Sequence, residues 1–214
     1  MSKNVYVWEF PVRLTHWLNF LSILVLSFTG IYIGTPFMHS PPGESSLMAI
    51  IRFFHFVAAY VFTVSCLLRL YWAFAGNEYS RWREFFPVTG RRRREIWENV
   101  KFYMLLKKNP PPSMGHSSTA VLSYLGLFFL FVVEIITGFG LYAQSHQGFF
   151  WTLMGGWLLF VFSSPTVRLI HHLVMWLILV FAIIHVYIGW LNDIAEKNGV
   201  MSSIFSGYKT AHED

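Results

Sequence analysis

Nine histidines are distributed along the 214-residue chain, and five of them, His16, His55, His171, His172 and His185, fall inside long apolar runs. An ionisable side chain is costly to hold in hydrocarbon, so each of these positions is read as functional by default. His39, His116, His146 and His212 fall in polar stretches or at the ends of runs, where solvated surface is the plain reading. His171 and His185 are 14 residues apart. On a helix that spacing returns them to within ~40° of one face, separated by ~21 Å along the axis. His172 stands 13 residues from His185, which turns it ~140° away from that face. Spacing therefore selects His171 as the stacked partner of His185. His172 is left to hydrogen-bond a neighbour or to face outward.

Imidazole is well suited to the axial positions of heme iron, and two imidazoles per iron leave no open coordination site. Such a centre transfers electrons and does not bind oxygen. Cys66 is the only cysteine and no C-x-x-C-H sequence is present, so any heme is held non-covalently.

These histidines must be positioned by the apolar runs themselves. Hydrophobic residues make up 55% of the chain, aromatics 19% and charged residues only 13%, against ~25% charged in an ordinary soluble domain. Runs at about 14–34, 50–74, 120–143 and 169–191 are each long enough to cross a ~30 Å hydrocarbon core as a helix. Helices are expected because lipid leaves backbone groups no other partner. The fold class is thus an all-α integral membrane protein, a four-transmembrane-helix bundle forming a single domain over 1–214. The first twelve residues lack the pattern of a cleaved signal peptide, so the first span is expected to act as an uncleaved insertion signal.

Charge sets the expected orientation. The segment 76–115 holds Arg81, Arg83, Arg91 to Arg94, Lys101, Lys107 and Lys108, whereas 35–49 and 144–167 contain no lysine or arginine. The positive-inside rule puts the basic segment and both termini in the cytoplasm. The location expected is the bacterial cytoplasmic (inner) membrane, with multiple passes. An arginine run between two spans reads as a topological signal with some attraction to anionic lipid, and no nucleic-acid partner is expected. Residues 95–106 mix charge with aromatics, as in a helix lying in the interface. Pro110 to Pro112 then end any helix before the third span. The outer loops read as irregular segments rich in Pro, Gly, Ser and aromatics.

Topology then pairs the ligands by depth. The first and third spans run outward, the second and fourth inward. His16 is level with His185 near the inner face, and His55 is level with His171 near the outer face. Two bis-histidine heme b sites follow, one above the other, with no histidine from the third span. Arg52 and Arg168 each stand three residues before an outer ligand, and Arg13 three before His16. Each guanidinium suits a heme propionate, although snorkelling to the interface explains the same placement. Thr29-Gly30 and Thr137-Gly138 recur at similar outer depth. Gly30 and Gly138 would let a flat macrocycle approach the backbone, or simply let helices pack. Glu134, inside the third span, either serves proton movement or bonds a neighbour.

Several runs are distinctive together: VYVWEFPVRLTHW at 5–17, HFVAAYVFTVSCLLRLYWAFAGNEYSRWREFFP at 55–87, TGFGLYA at 137–143, HHLVMWLILVFAIIHVY at 171–187 and SSIFSGYK at 202–209. They resemble the b-type cytochrome subunit of membrane-bound nickel–iron hydrogenases over nearly the whole chain. GNEYSRW and SGYK distinguish that family from the wider group that includes formate dehydrogenase cytochromes. The resemblance implies a membrane anchor for the iron–sulfur small subunit and the nickel–iron large subunit at the outer face. It would not be an enzyme on its own but the electron-transfer part of a hydrogen:quinone oxidoreductase. Its ligand positions in the family fall on His16, His55, His171 and His185, the four that geometry selects. Quinone, the acceptor, is expected near the inner heme, with Asn19, Arg69 and Tyr187 as candidate contacts. The alternatives are the cytochrome subunit of another periplasmic-facing oxidoreductase, such as formate dehydrogenase, and a heme-free anchor or transporter. Against a transporter, no repeat of broken helices is present.

Overall fold

The computed structural model describes residues 2–37, 47–82, 90–104, 106–107, 118–146 and 148–212. His39, His116 and Pro110 to Pro112 lie outside them. Four helices are long and apolar enough to cross a membrane: α1 (Phe10–Gly34), α2 (Leu47–Ala75), α4 (Ser118–Tyr142, apolar from Ser123) and α7 (Ser164–Glu196). Each covers one of the four apolar runs, and α1, α2 and α7 extend beyond them. At ~1.5 Å per residue, the 33-residue α7 is ~50 Å long and outruns the hydrocarbon. Between α2 and α4 lies α3 (Gly90–Tyr103), beginning earlier than the interfacial helix expected at 95–106.

The segment before α7 is more ordered than expected. In place of an irregular loop it forms α5 (Phe149–Trp151), a π-helical turn (Thr152–Gly156) and α6 (Leu158–Val161). The cause is close backbone approach. A Cβ on Gly155 would lie 2.2 Å from the Ile136 carbonyl and 2.6 Å from the Gly140 nitrogen, both on α4. Tyr142 stacks flat on His146, with ring centres 3.8 Å apart, and meets Trp151 edge-on.

Burial is inverted relative to a soluble protein. Among the described residues, Ser22, Ser27, Thr29, Ser65 and Thr137 are buried, while Phe28, Phe53, Phe74, Leu169 and Ile183 are exposed. Large apolar side chains face lipid. Small residues lie inside because helices in lipid associate by close packing and not by a hydrophobic force.

The chain divides into two compact bodies. One comprises Met1–Arg13, Leu70–Leu130 and Leu177–Asp214, and the other comprises Leu14–Arg69 and Phe131–Trp176. In the first, here the terminal body, the two ends of the chain meet. Strand β1 (Ser2–Tyr6) pairs antiparallel with β2 (Tyr208–His212), Ser2 opposite His212 and Tyr6 opposite Tyr208. Both termini are therefore on the same side. Helix α8 (Val200–Ser206) ends at Gly207, whose φ of +90° favours glycine. The Gly207 carbonyl accepts from the amides of Val7 and Trp8 at 2.8 and 3.0 Å. Trp8 donates from Nε1 to Ser203 Oγ at 3.1 Å, and Lys209 stands over its ring.

Glu9 binds the second distinctive motif in the same body. Its Oε2 accepts from Trp72 Nε1 at 2.8 Å, from the Asn77 amide at 2.8 Å and from Ser80 Oγ at 3.2 Å. Asn77 Oδ1 in turn accepts from the amides of Tyr79 and Ser80, and Arg81 Nε donates to the Gly76 carbonyl. The runs VYVWEF, GNEYSR and SGYK are thus joined by hydrogen bonds, which explains in physical terms why they occur together.

Candidate functional site

In the second body, here the histidine body, contacts define which helices are neighbours. Helix α1 touches α2 through Ser65 Oγ, which donates to the Thr15 carbonyl at 3.2 Å. It also touches α7: a Cβ on Gly30 would lie 3.8 Å from Met175 Sδ, and one on Gly34 would lie 2.6 Å from His172 Nε2. Helix α2 meets α4 through the edge-on pair Phe62 and Phe131, 4.8 Å between ring centres. Helix α4 meets α7 through Thr137 and His171. The contacts run α1–α2–α4–α7 and back to α1. His55 on α2 and His171 on α7 therefore come from helices placed diagonally in that ring.

Each of these histidines is braced by the helix beside it. Thr29 Oγ1 on α1 lies 2.8 Å from His55 Nδ1, and Thr137 Oγ1 on α4 lies 2.9 Å from His171 Nδ1. The next residue is glycine in both cases. A Cβ on Gly30 would lie 3.4 Å from His55 Cε1, and one on Gly138 would lie 3.2 Å from His171 Cε1. Gly138 thus leaves room for the edge of His171, while a Cβ on Gly30 would be in ordinary contact with His55. Glu134 adds a carboxyl oxygen 3.3 Å from His171 Nδ1.

His172 is engaged differently. Its Nδ1 donates to the Arg168 carbonyl on its own helix at 2.9 Å, and its Nε2 abuts Gly34. Arg52 and Arg168, one turn before His55 and His171, are both exposed. His16 lies in the histidine body with its ring edge-on to Trp17 at 5.3 Å. His185 lies in the terminal body, stacked on Phe181 with ring centres 5.7 Å apart. Arg13, also in the terminal body, has its guanidinium on the Phe205 carbonyl and over the Phe10 ring. Of the candidate quinone contacts, Arg69 is buried on α2, and Asn19 on α1 keeps a buried Oδ1 without a hydrogen-bond partner. Tyr187 is exposed beside Trp190. Sequence reasoning missed the two threonines as histidine partners. The available signal was the recurrence of Thr-Gly at matched depth, which had been credited to the glycine alone.

Four membrane-length helices, two of them carrying histidines braced by threonines of their neighbours, make a histidine-bearing membrane bundle. The chain belongs to the prokaryotic cytochrome b561 family, whose model matches residues 7–207. It is 43% identical to the probable Ni/Fe-hydrogenase B-type cytochrome subunit of Cupriavidus necator, over 97% of this chain and 88% of that one. Identity is 39% with the protein of that name from Azotobacter vinelandii, over 98% and 90% of the two chains. With the probable Ni/Fe-hydrogenase 1 B-type cytochrome subunit of Escherichia coli it is also 39%, over 98% and 93%.

Proposed function

We propose that the chain is the membrane-anchoring di-heme cytochrome b subunit of a nickel–iron hydrogenase, carrying electrons from the iron–sulfur small subunit to quinone. The observation that carries this is the matched support of His55 and His171, each with Nδ1 on a threonine hydroxyl and Cε1 against a glycine. The names of the three relatives above, Ni/Fe-hydrogenase cytochrome subunits at 39–43% identity, support the partner.

The residues present fit heme. The contacts of the His55 and His171 rings with Thr29, Thr137 and Glu134 are made at Nδ1, so Nε2 of each is the atom that would bind iron. Gly30 on α1 and Gly138 on α4 lie at the ring edges of His55 and His171. Heme bound through two imidazoles supplies one-electron redox chemistry with no vacant site for oxygen. In this reading His55 and His171 hold the outer heme and His16 and His185 the inner one, a pairing that rests on depth along the sequence. Arg52 and Arg168 are free to turn towards propionates from one turn away. The large apolar side chains facing lipid keep water from the helices' interior. Quinone is reduced on the inner side, with Asn19, Arg69 and Tyr187 as contacts and the basic segment and both termini in the cytoplasm.

The test is a visible difference spectrum of native membranes under hydrogen. A b-type band reduced by hydrogen and reoxidised by added quinone, in a complex that co-purifies with a nickel-containing subunit, is the expected result. A band reduced by formate and unmoved by hydrogen would transfer the subunit to another oxidoreductase.

A further inference from the structure

The geometry points to Thr29 and Thr137 as positioning residues that lock His55 and His171 in the Nδ1–H tautomer, each ring turned to present a bare Nε2 to iron. This inference rests on the cytochrome reading above and adds to it the groups that decide how the ligands bind.

A threonine hydroxyl has one proton to give. Thr29 Oγ1 lies 2.6 Å from the Val25 carbonyl and 3.2 Å from that of Leu26. Thr137 Oγ1 lies 2.7 Å from the Val133 carbonyl and 3.1 Å from that of Glu134. Carbonyl oxygens only accept, so each hydroxyl proton is committed to its own helix. Towards the histidine the hydroxyl can then only accept, at 2.8 Å for His55 and 2.9 Å for His171. The proton in that contact must come from Nδ1. A neutral imidazole carries one N–H, so Nε2 is left with its lone pair, the form in which it binds a metal. The other tautomer would set two lone pairs against each other at under 3 Å.

The arrangement is not a local accident of sequence. Thr29 and His55 are 26 residues apart and Thr137 and His171 are 34 apart, yet each pair joins neighbouring helices in the same way. The hydroxyl fixes how each ring is turned, and at Gly138 a Cβ would press on the His171 ring edge. His172 lacks a threonine partner: its Nδ1 donates to the Arg168 carbonyl on its own helix and its Nε2 abuts Gly34. Glu134 Oε1 also lies 3.3 Å from His171 Nδ1.

The experiment compares Thr29→Val, Thr29→Ser, Thr137→Val and Thr137→Ser in the intact membrane complex. Thr63→Val serves as a control, because its hydroxyl donates to the Ala59 carbonyl on its own helix. Heme content, electron paramagnetic resonance of the ferric outer heme and its midpoint potential are read in each. The valine variants are expected to weaken heme retention ~10–100-fold, the usual effect of losing a partner that orients a ligand. They are also expected to raise the potential, because a less electron-rich imidazole favours ferric iron less. A tenfold selective weakening of the ferric state corresponds to about 59 mV for one electron. The serine variants keep the hydroxyl and restore both properties, and Thr63→Val changes neither. Valine variants matching wild type in potential and resonance would overturn the inference, and so would serine variants shifted as far as valine. Wild-type protein without heme would instead remove the cytochrome reading, so the two failures are distinct.

Discussion

Replacing glycine by alanine at three helical positions should give three different outcomes, set by what the new methyl group meets. In a helix interior the change itself is favourable by about 0.5–1 kcal/mol, because alanine has less backbone freedom to lose. At Gly30 the methyl carbon would lie 3.4 Å from His55 Cε1 and 3.8 Å from Met175 Sδ, both ordinary contacts. Gly30→Ala should therefore be neutral or slightly stabilising. At Gly138 it would lie 3.2 Å from His171 Cε1, so the ring must yield by a few tenths of an ångström. That ring is tied by the 2.9 Å bond to Thr137 on the same helix, and overpacking of this kind costs about 1–3 kcal/mol. Gly138→Ala should end up to about 2 kcal/mol less stable once the helical gain is counted, with a disturbed b band. At Gly155 the methyl would meet the Ile136 carbonyl at 2.2 Å and the Gly140 nitrogen at 2.6 Å, backbone atoms that cannot move aside. Gly155→Ala should not accumulate as folded protein. Unfolding of each purified variant, followed by the heme spectrum, gives the order Gly30, Gly138, Gly155. Gly138→Ala as stable as Gly30→Ala, with an unaltered spectrum, would mean that His171 is not seated against α4.

Two further outcomes concern the terminal body. Glu9→Ala removes the acceptor of three hydrogen bonds and should cost about 2–4 kcal/mol locally, whereas Glu9→Gln keeps one oxygen and should cost about 1 kcal/mol. Hydrogen exchange at the Asn77 amide reads this directly, and equal protection in both variants would refute it. Burial pushes the Lys209 ammonium below its ordinary 10.5, by more than Glu196 and Asp193 hold it up. Over the window just below that value the unfolded chain binds more protons, so the stability of this body should rise with pH there. Lys209→Met should abolish the rise, as thermal unfolding across that range would report. A fall in wild-type stability there would contradict the assignment.

The spans were legible because an apolar run of more than twenty residues has one structural solution in lipid. Their ends were less so, since α7 continues as a helix through Asn192 and Asp193, which no hydropathy rule would include. The order of segment 149–161 is not legible in the sequence because it comes from Gly155 pressing on α4, a contact between distant residues. The pairing of β1 with β2 was illegible for the same reason: two short strands, one at each end of the chain, carry no hairpin turn between them. At the site, helical rotation separates His171 from His172, and the two rings do make different bonds. What no single run reveals is which neighbouring helix supplies each ring's partner. Thr29 and Glu134 take their meaning only from α2 and α7.

Heme stoichiometry per chain in the intact complex, measured for wild type and for single alanine variants of five histidines, tests the central claim most directly. Two hemes are expected in wild type and in His172→Ala. One is expected in each of His16→Ala, His55→Ala, His171→Ala and His185→Ala, with His55→Ala and His171→Ala losing the same spectral component. A full complement of heme in His55→Ala or His171→Ala, or a loss in His172→Ala, would contradict it.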